Sequence, residues 1–144
     1  MKLLMYMAHA FSWQPYQKTL DDSDAAQVTG TAEEAVVVFL HAEAFDEANP
    51  KLVTKLVKHI KWLANKRDLK TVVLHSFAHL AATNADPGFT QETMRAAEAR
   101  LAAVGYRVLQ TPFGYTCAWQ LSVYGESLGK VFKEIGPPAG GDGG

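Results

Sequence analysis

His75 and His79 bracket Ser76, Phe77 and Ala78 where the apolar run Thr71–Leu74 gives way to a polar, turn-rich stretch. An imidazole can serve as general base, proton shuttle or metal ligand, and two of them at the mouth of a buried strand could line a site. Their surroundings separate them. His75 belongs to the apolar run, so a core histidine with a satisfied hydrogen bond is the expected reading. His79 lies past it, beside the backbone N–H groups of Phe77 and Ala78, and is either a solvated loop residue or part of a site. His9 follows the first apolar run in the same way, and faces the same edge if the two strands are parallel.

The other residues with chemical potential have plainer readings. His9, His41, His75 and His79 show no HxxxH spacing on a helix, no cysteine pair and no dedicated carboxylate, which argues against a metal centre. Cys117 could act as a thiol nucleophile with His79 as its base. It shares an apolar face with Trp119 and Leu121, however, where a buried, inert thiol is expected. There is no GxSxG, no P-loop and no GxGxxG, and no cofactor is implied. Lys130 reads as a solvated surface lysine.

A chain of 144 residues, 48% hydrophobic and 20% charged, fits one domain able to bury its own core. The formal net charge of −1 carries no overall basic signature. A nucleic-acid partner would therefore be held locally or with the help of another polypeptide. One cysteine permits no intramolecular disulfide, and the opening Met1–Trp13 stretch lacks a cleavage pattern; a reducing, cytoplasmic setting is expected. No apolar run approaches the length of a membrane span.

The patterning alternates strands with helices. Residues 2–8 are apolar on both faces and read as a strand in a covered sheet; 13–31 read as a loop, with room for a short edge strand. Residues 33–42 are a second strand. Asn49-Pro50 opens a helix with Leu52, Leu56, Ile60 and Leu63 on one face, and 70–77 form the next strand, giving a β-α-β unit with parallel strands. The scheme then repeats: Thr90 caps a helix that Gly105 ends, before a strand at Tyr106–Gln110. Residues 115–124 alternate, and so short a connection implies that they run antiparallel to the strand before. Leu128, Val131, Phe132 and Ile135 have helical spacing and predict a last helix carrying Lys130. Residues 136–144, rich in Gly and Pro, are read as a flexible tail or linker.

The stretches LLMYMAHAFSW, EEAVVVFLHAEAFDEANP, FAHLA and TPFGYTCAWQLSVYGESLGK together resemble the N-terminal editing domain of archaeal-type threonyl-tRNA synthetases, from residue 2 to about residue 135. The resemblance implies an α/β (α+β) single domain over 1–135, a mixed β-sheet with helices packed on it in a D-aminoacyl-tRNA deacylase-like fold. It also implies hydrolysis of mischarged L-seryl-tRNA(Thr). Partners would be the acceptor end of tRNA(Thr) carrying serine, a second copy in a homodimer, and the synthetase's catalytic and anticodon-binding domains, fused or separate.

By the same resemblance, Ala78 and His79 are catalytic, with Phe77 beside them in substrate binding. His9, Ala42, Tyr115, Thr116, Cys117 and Lys130 are further substrate contacts. The attacking water would be placed with help from the 2′-hydroxyl of the terminal adenosine. Many members carry Tyr-Lys where this chain has Thr116-Cys117, a Glu where it has Lys130, and an Asp after the opening His-Ala or His-Ser pair. A mechanism carried by backbone and RNA is compatible with those losses. The rival functions are a D-aminoacyl-tRNA deacylase and a non-catalytic domain that binds tRNA ends or dimerises.

Overall fold

Alternation of apolar side chains carries the first strand well past residue 8. In the computed structural model, which describes residues 1–20 and 28–137, β1 spans Lys2–Lys18 and β2 spans Gly30–His41. Part of the loop expected at 13–31 is thus strand; residues 21–27, and 138–144 of the expected tail, lie outside the described residues. The remaining elements are α1 (Leu52–Asn65), β3 (Thr71–Ser76), α2 (Pro87–Ala103), β4 (Arg107–Gln110), β5 (Tyr115–Val123) and β6 (Lys130–Glu134). The strand order is β4-β3-β2-β1-β5, with β6 also on β1; β2, β3 and β4 are parallel, whereas β1 runs antiparallel to β2, β5 and β6.

Both β-α-β units form as the patterning predicts, with small changes at the helix starts. The Asn49 side chain accepts from the Lys51 N–H at 3.0 Å, and α1 begins just after. Asp86, not Thr90, caps α2: its carboxylate accepts from the Gly88 N–H at 2.9 Å, with Pro87 in the first turn. Thr90 sits one turn inside. Gly105, at φ +100°, ends the helix as expected.

Two expectations about the last third of the chain fail. The segment with helical spacing forms a 3-10 turn at Ser127–Gly129 and then β6. The reason is tertiary: β5 pairs with β1 only from Ala8 onward, and β6 takes up the edge from Lys2 to Tyr6. Nor do β4 and β5 pair with each other; they occupy opposite ends of the strand order.

Only Thr111–Gly114 join β4 to β5, and that requires the sheet to fold over. Trp119 lies level with Gly30 through Trp13, nine residues along β2 from Phe39. On a straight sheet the two would be about 30 Å apart. Their ring centroids are 5.3 Å apart. The bend begins where β1 shifts register between Ala8 and Ala10. Such a bulge also reverses which side chains face which way. Before it Leu4, Tyr6 and Ala8 face one side; after it Phe11 and Trp13 face that same side.

Two cores result. Met1, Leu3, Met5 and Met7 pack with Val36, Val38, Leu40 and the apolar stripes of α1 and α2. On the opposite face Phe11, Trp13, Val37, Phe39 and Val73 are covered by the folded-over ribbon of β1 and β5. The Trp13 indole donates to the Val28 carbonyl at 3.1 Å. Its ring occupies the space a side chain on Gly30 would need: a Cβ there would lie 2.2 Å from Trp13 Cζ2. Gly30→Ala is expected to lower unfolding free energy in urea by about 1–3 kcal/mol. Gly125→Ala, whose Cβ would meet nothing within 4 Å, should stay within about 0.5 kcal/mol of the parent.

Candidate functional site

The fold-over leaves a cavity of about 560 Å³ between the carboxyl end of β3 and the start of β5. The loop after β3 supplies Phe77, Ala78 and His79; the β4–β5 connection and β5 supply Phe113, Tyr115, Thr116, Cys117 and Trp119. Thr19 and Leu20, at the end of β1, and Asn84 and Thr90 complete the wall. Its surface is mostly aromatic and aliphatic with a few polar groups, the usual character of a small-molecule site.

The backbone at the rim is unevenly committed. The Phe77 N–H extends the parallel ladder by donating to the Leu40 carbonyl at 2.9 Å, and the His79 N–H donates to the Phe77 carbonyl at 2.9 Å. The Ala78 N–H between them has no hydrogen-bond partner among the described residues. Ala78 and His79 are both exposed. A peptide donor held in a tight turn beside an apolar wall can accept developing negative charge without reorganising.

His41 holds this turn in place from below. Buried at the end of β2, it accepts the Leu80 N–H on Nδ1 at 3.0 Å, so its proton sits on Nε2, which donates to the Thr83 carbonyl at 2.8 Å. Three further bonds tie the loop to the same stretch: Ala85 N–H to the Ala42 carbonyl, Ala44 N–H to Thr83 Oγ1, and Asp86 N–H to Glu47.

A family model described as the Archaea-specific editing domain of threonyl-tRNA synthetase matches residues 1–135. The chain belongs to this family. The threonine–tRNA ligase of Thermococcus kodakarensis is 32% identical to this editing domain over 141 residues, covering 95% of the chain and 22% of the ligase. That of Methanosphaera stadtmanae is 32% identical over 139 residues, covering 94% and 22%. The chain therefore spans about a fifth of the length of these curated relatives. A solved structure, the c-Myc DNA Unwinding Element Binding Protein, superposes with a TM-score of 0.70 over 94% of this chain and 99% of its own, at 12% identity. At that identity the likeness concerns the fold alone, which is the D-aminoacyl-tRNA deacylase-like one.

Within the editing domain, the structure brings Phe77, Ala78, His79, Tyr115, Thr116 and Cys117 to one cavity and leaves three other expected contacts outside it. Because β1 is antiparallel to β2, His9 sits level with the start of β3, not its end. The length of β3, six residues or about 20 Å, separates it from the cavity. His9 stacks on Tyr124 at 3.5 Å and lies 3.6 Å from Glu34. Lys130 is on a strand, not a helix, opposite Tyr6 on the far side of β1. Ala42 is buried beneath the loop, where its carbonyl holds Ala85.

Trp119, which lines the cavity, and His41, which holds its loop, are the residues of this candidate site that sequence reasoning passed over. Trp119 was legible, since it shares the alternating face of Tyr115 and Cys117. His41 was not, because its partners lie 39 and 42 residues further along the chain. His75 is buried at the cavity's back, with Nδ1 2.8 Å from Thr111 Oγ1 and its ring 4.8 Å from that of Phe39. Burial pushes it down to about 4, so it is neutral near pH 7. Burial pushes the Cys117 thiol up, which keeps it protonated and a poor nucleophile.

Two outcomes are expected. Between pH about 6.5, the ordinary imidazole value, and about 4, the unfolded chain takes up a proton that folded His75 refuses. The stability from this site is complete above that window and is lost as pH falls through it. In urea titrations the wild-type advantage over His75→Gln should shrink by about 2–3 kcal/mol between those limits. Separately, His41→Ala strands the Leu80 N–H and the Thr83 carbonyl. Amide exchange in 77–85 should then quicken about tenfold or more, while β2 and β3 stay protected.

Proposed function

We propose that this editing domain hydrolyses the ester bond of L-seryl-tRNA(Thr), releasing serine and intact tRNA, in cis within a threonyl-tRNA synthetase or in trans beside one. The observation that carries the reading is the uncommitted Ala78 N–H at the mouth of an apolar cavity. Serine lacks one methyl of threonine, and that difference supplies only about 1–3 kcal/mol of discrimination in a binding pocket. A synthetic site alone would mischarge, and a second pocket that admits serine and refuses the extra methyl corrects the error.

The chemistry follows from what the cavity supplies. Water attacks the ester carbonyl, the tetrahedral oxyanion is stabilised by the Ala78 N–H, and the C–O bond to the ribose breaks as the ribose oxygen regains a proton. The aromatic walls of Phe77, Tyr115 and Trp119 offer faces for the terminal adenine. Burial raises the Cys117 thiol and disfavours a covalent intermediate; the role of placing the water is the one that the family resemblance gives to the 2′-hydroxyl of the terminal adenosine. Catalysis is then largely positioning.

The test is release of labelled serine from seryl-tRNA(Thr), with threonyl-tRNA(Thr) as the control that should survive. Ala78→Pro, which deletes the N–H, should lower the single-turnover rate about 10²–10³-fold. A substrate ending in 2′-deoxyadenosine should suffer at least as much. Cys117→Ala should change little. Serine loss no faster than in buffer would refute the proposal; a collapse of activity in Cys117→Ala alone would replace it with thiol catalysis.

A further inference from the structure

Charge is distributed very unevenly along this chain. Residues 51–70 hold seven of the 14 lysines and arginines and a single acid, Asp68; the other 124 residues hold seven against 14 acids. This segment is α1 and the turn after it, and α1 lies on the helical face of the sheet, away from the cavity already described.

The cations surround a built feature. A groove of about 430 Å³ runs between the two helices, with Lys58, Lys61, Trp62 and Asn65 from α1 and Arg100 from α2 in its walls. Arg100 is fixed there by donating to Thr54 Oγ1 at 2.7 Å. Trp62 is half-buried, with Lys66 Nζ 5.0 Å and Lys133 Nζ 4.5 Å from its ring centroid. Lys58, Lys61 and Lys66 have no acidic partner among the described residues; Lys70 and Arg67 are paired with Asp68 and Glu126. His59, among them, is lowered by burial first and then by the neighbouring charges of Lys133, Lys58 and Lys55. The face thus concentrates positive charge within a molecule of net charge −1.

We infer that the α1 face, centred on Lys58, Lys61, Trp62 and Arg100, is a second RNA contact, which grips the ribose-phosphate backbone of tRNA outside the pocket. Residue types favour RNA over an acidic protein. Protein interfaces are depleted in lysine and enriched in arginine at their centres. Six of the seven cations in 51–70 are lysines, compact point charges suited to phosphates. A half-buried indole edged by cations can also offer its open part for stacking on a base or ribose. The contact would explain how a chain of net charge −1 holds a polyanion: the acids are placed elsewhere.

This inference rests on the proposed function only for the identity of the RNA, and the test keeps the two apart. Binding of uncharged tRNA(Thr) to the full chain is measured across a salt series, alongside steady-state hydrolysis of seryl-tRNA(Thr). Lys58→Glu/Lys61→Glu should weaken tRNA binding at least tenfold at about 0.1 M salt and flatten the plot of log K against log salt by about one to two. Where hydrolysis is present, KM should rise with kcat unchanged. Arg95→Glu, on an exposed part of α2, should do neither, and Lys58→Gln/Lys61→Gln gives the same trend should the double reversal fail to fold. Lysine-dependent tRNA binding without serine release would keep this face and discard the pocket's activity. Binding and salt slope indistinguishable from wild type would overturn the inference. Loss of association with other synthetase domains at unchanged tRNA affinity would overturn it too, and would assign the face to protein.

Discussion

Everything distinctive in this domain depends on one strand serving three partners. β1 pairs with β2 along one edge, and with β6 and then β5 along the other. It can do so only by bending between Ala8 and Ala10. The bend turns a single sheet into two layers, and brings Trp119 and Cys117 over Phe39 and His75. Without it four residues could not join β4 to β5, and the carboxyl end of β3 would open to solvent on a flat sheet. The cavity is thus a consequence of chain connectivity before it is a matter of particular side chains.

The loop at its mouth shows a complementary economy. A turn as exposed as Ala78-His79 would ordinarily fray, yet five bonds from the end of β2 and the 3-10 turn at Ala44–Ala48 hold the segment from Leu80 to Asp86. Buried His41 supplies two of them and is itself fully satisfied. Rigid support from below leaves one backbone donor pointing nowhere else, a poor arrangement for stability and a good one for stabilising a transient oxyanion.

Much of this was legible in sequence because it is local. The stripe Leu52-Leu56-Ile60-Leu63, the β-branched strands and the Gly105 stop are periodic or short-range signals, and each forms where expected. The alternation of Tyr115, Cys117 and Trp119 likewise placed a shared face. What could not be read was long-range pairing. Leu128, Val131, Phe132 and Ile135 satisfy helical spacing, but the vacant edge of β1, over 120 residues earlier, recruits Val131 and Phe132 into a strand. His9 looked like a partner of His79 only while the direction of β1 was open. Lys130 and Ala42 were displaced from the cavity for the same reason: direction and layer are properties of the whole sheet.

The bulge beside His9 lies at the far end of the molecule from the cavity, and that separation makes it a lever. At about 3.3 Å per residue, the eight residues that follow His9, up to Gln17, form an arm of about 26 Å, so a change of about 5° at the bend carries its tip about 2 Å. The tip pairs with Tyr115, Thr116 and Cys117, one wall of the cavity. A dimension on which admitting or refusing a single methyl group would turn is therefore governed by backbone geometry at a place no substrate touches.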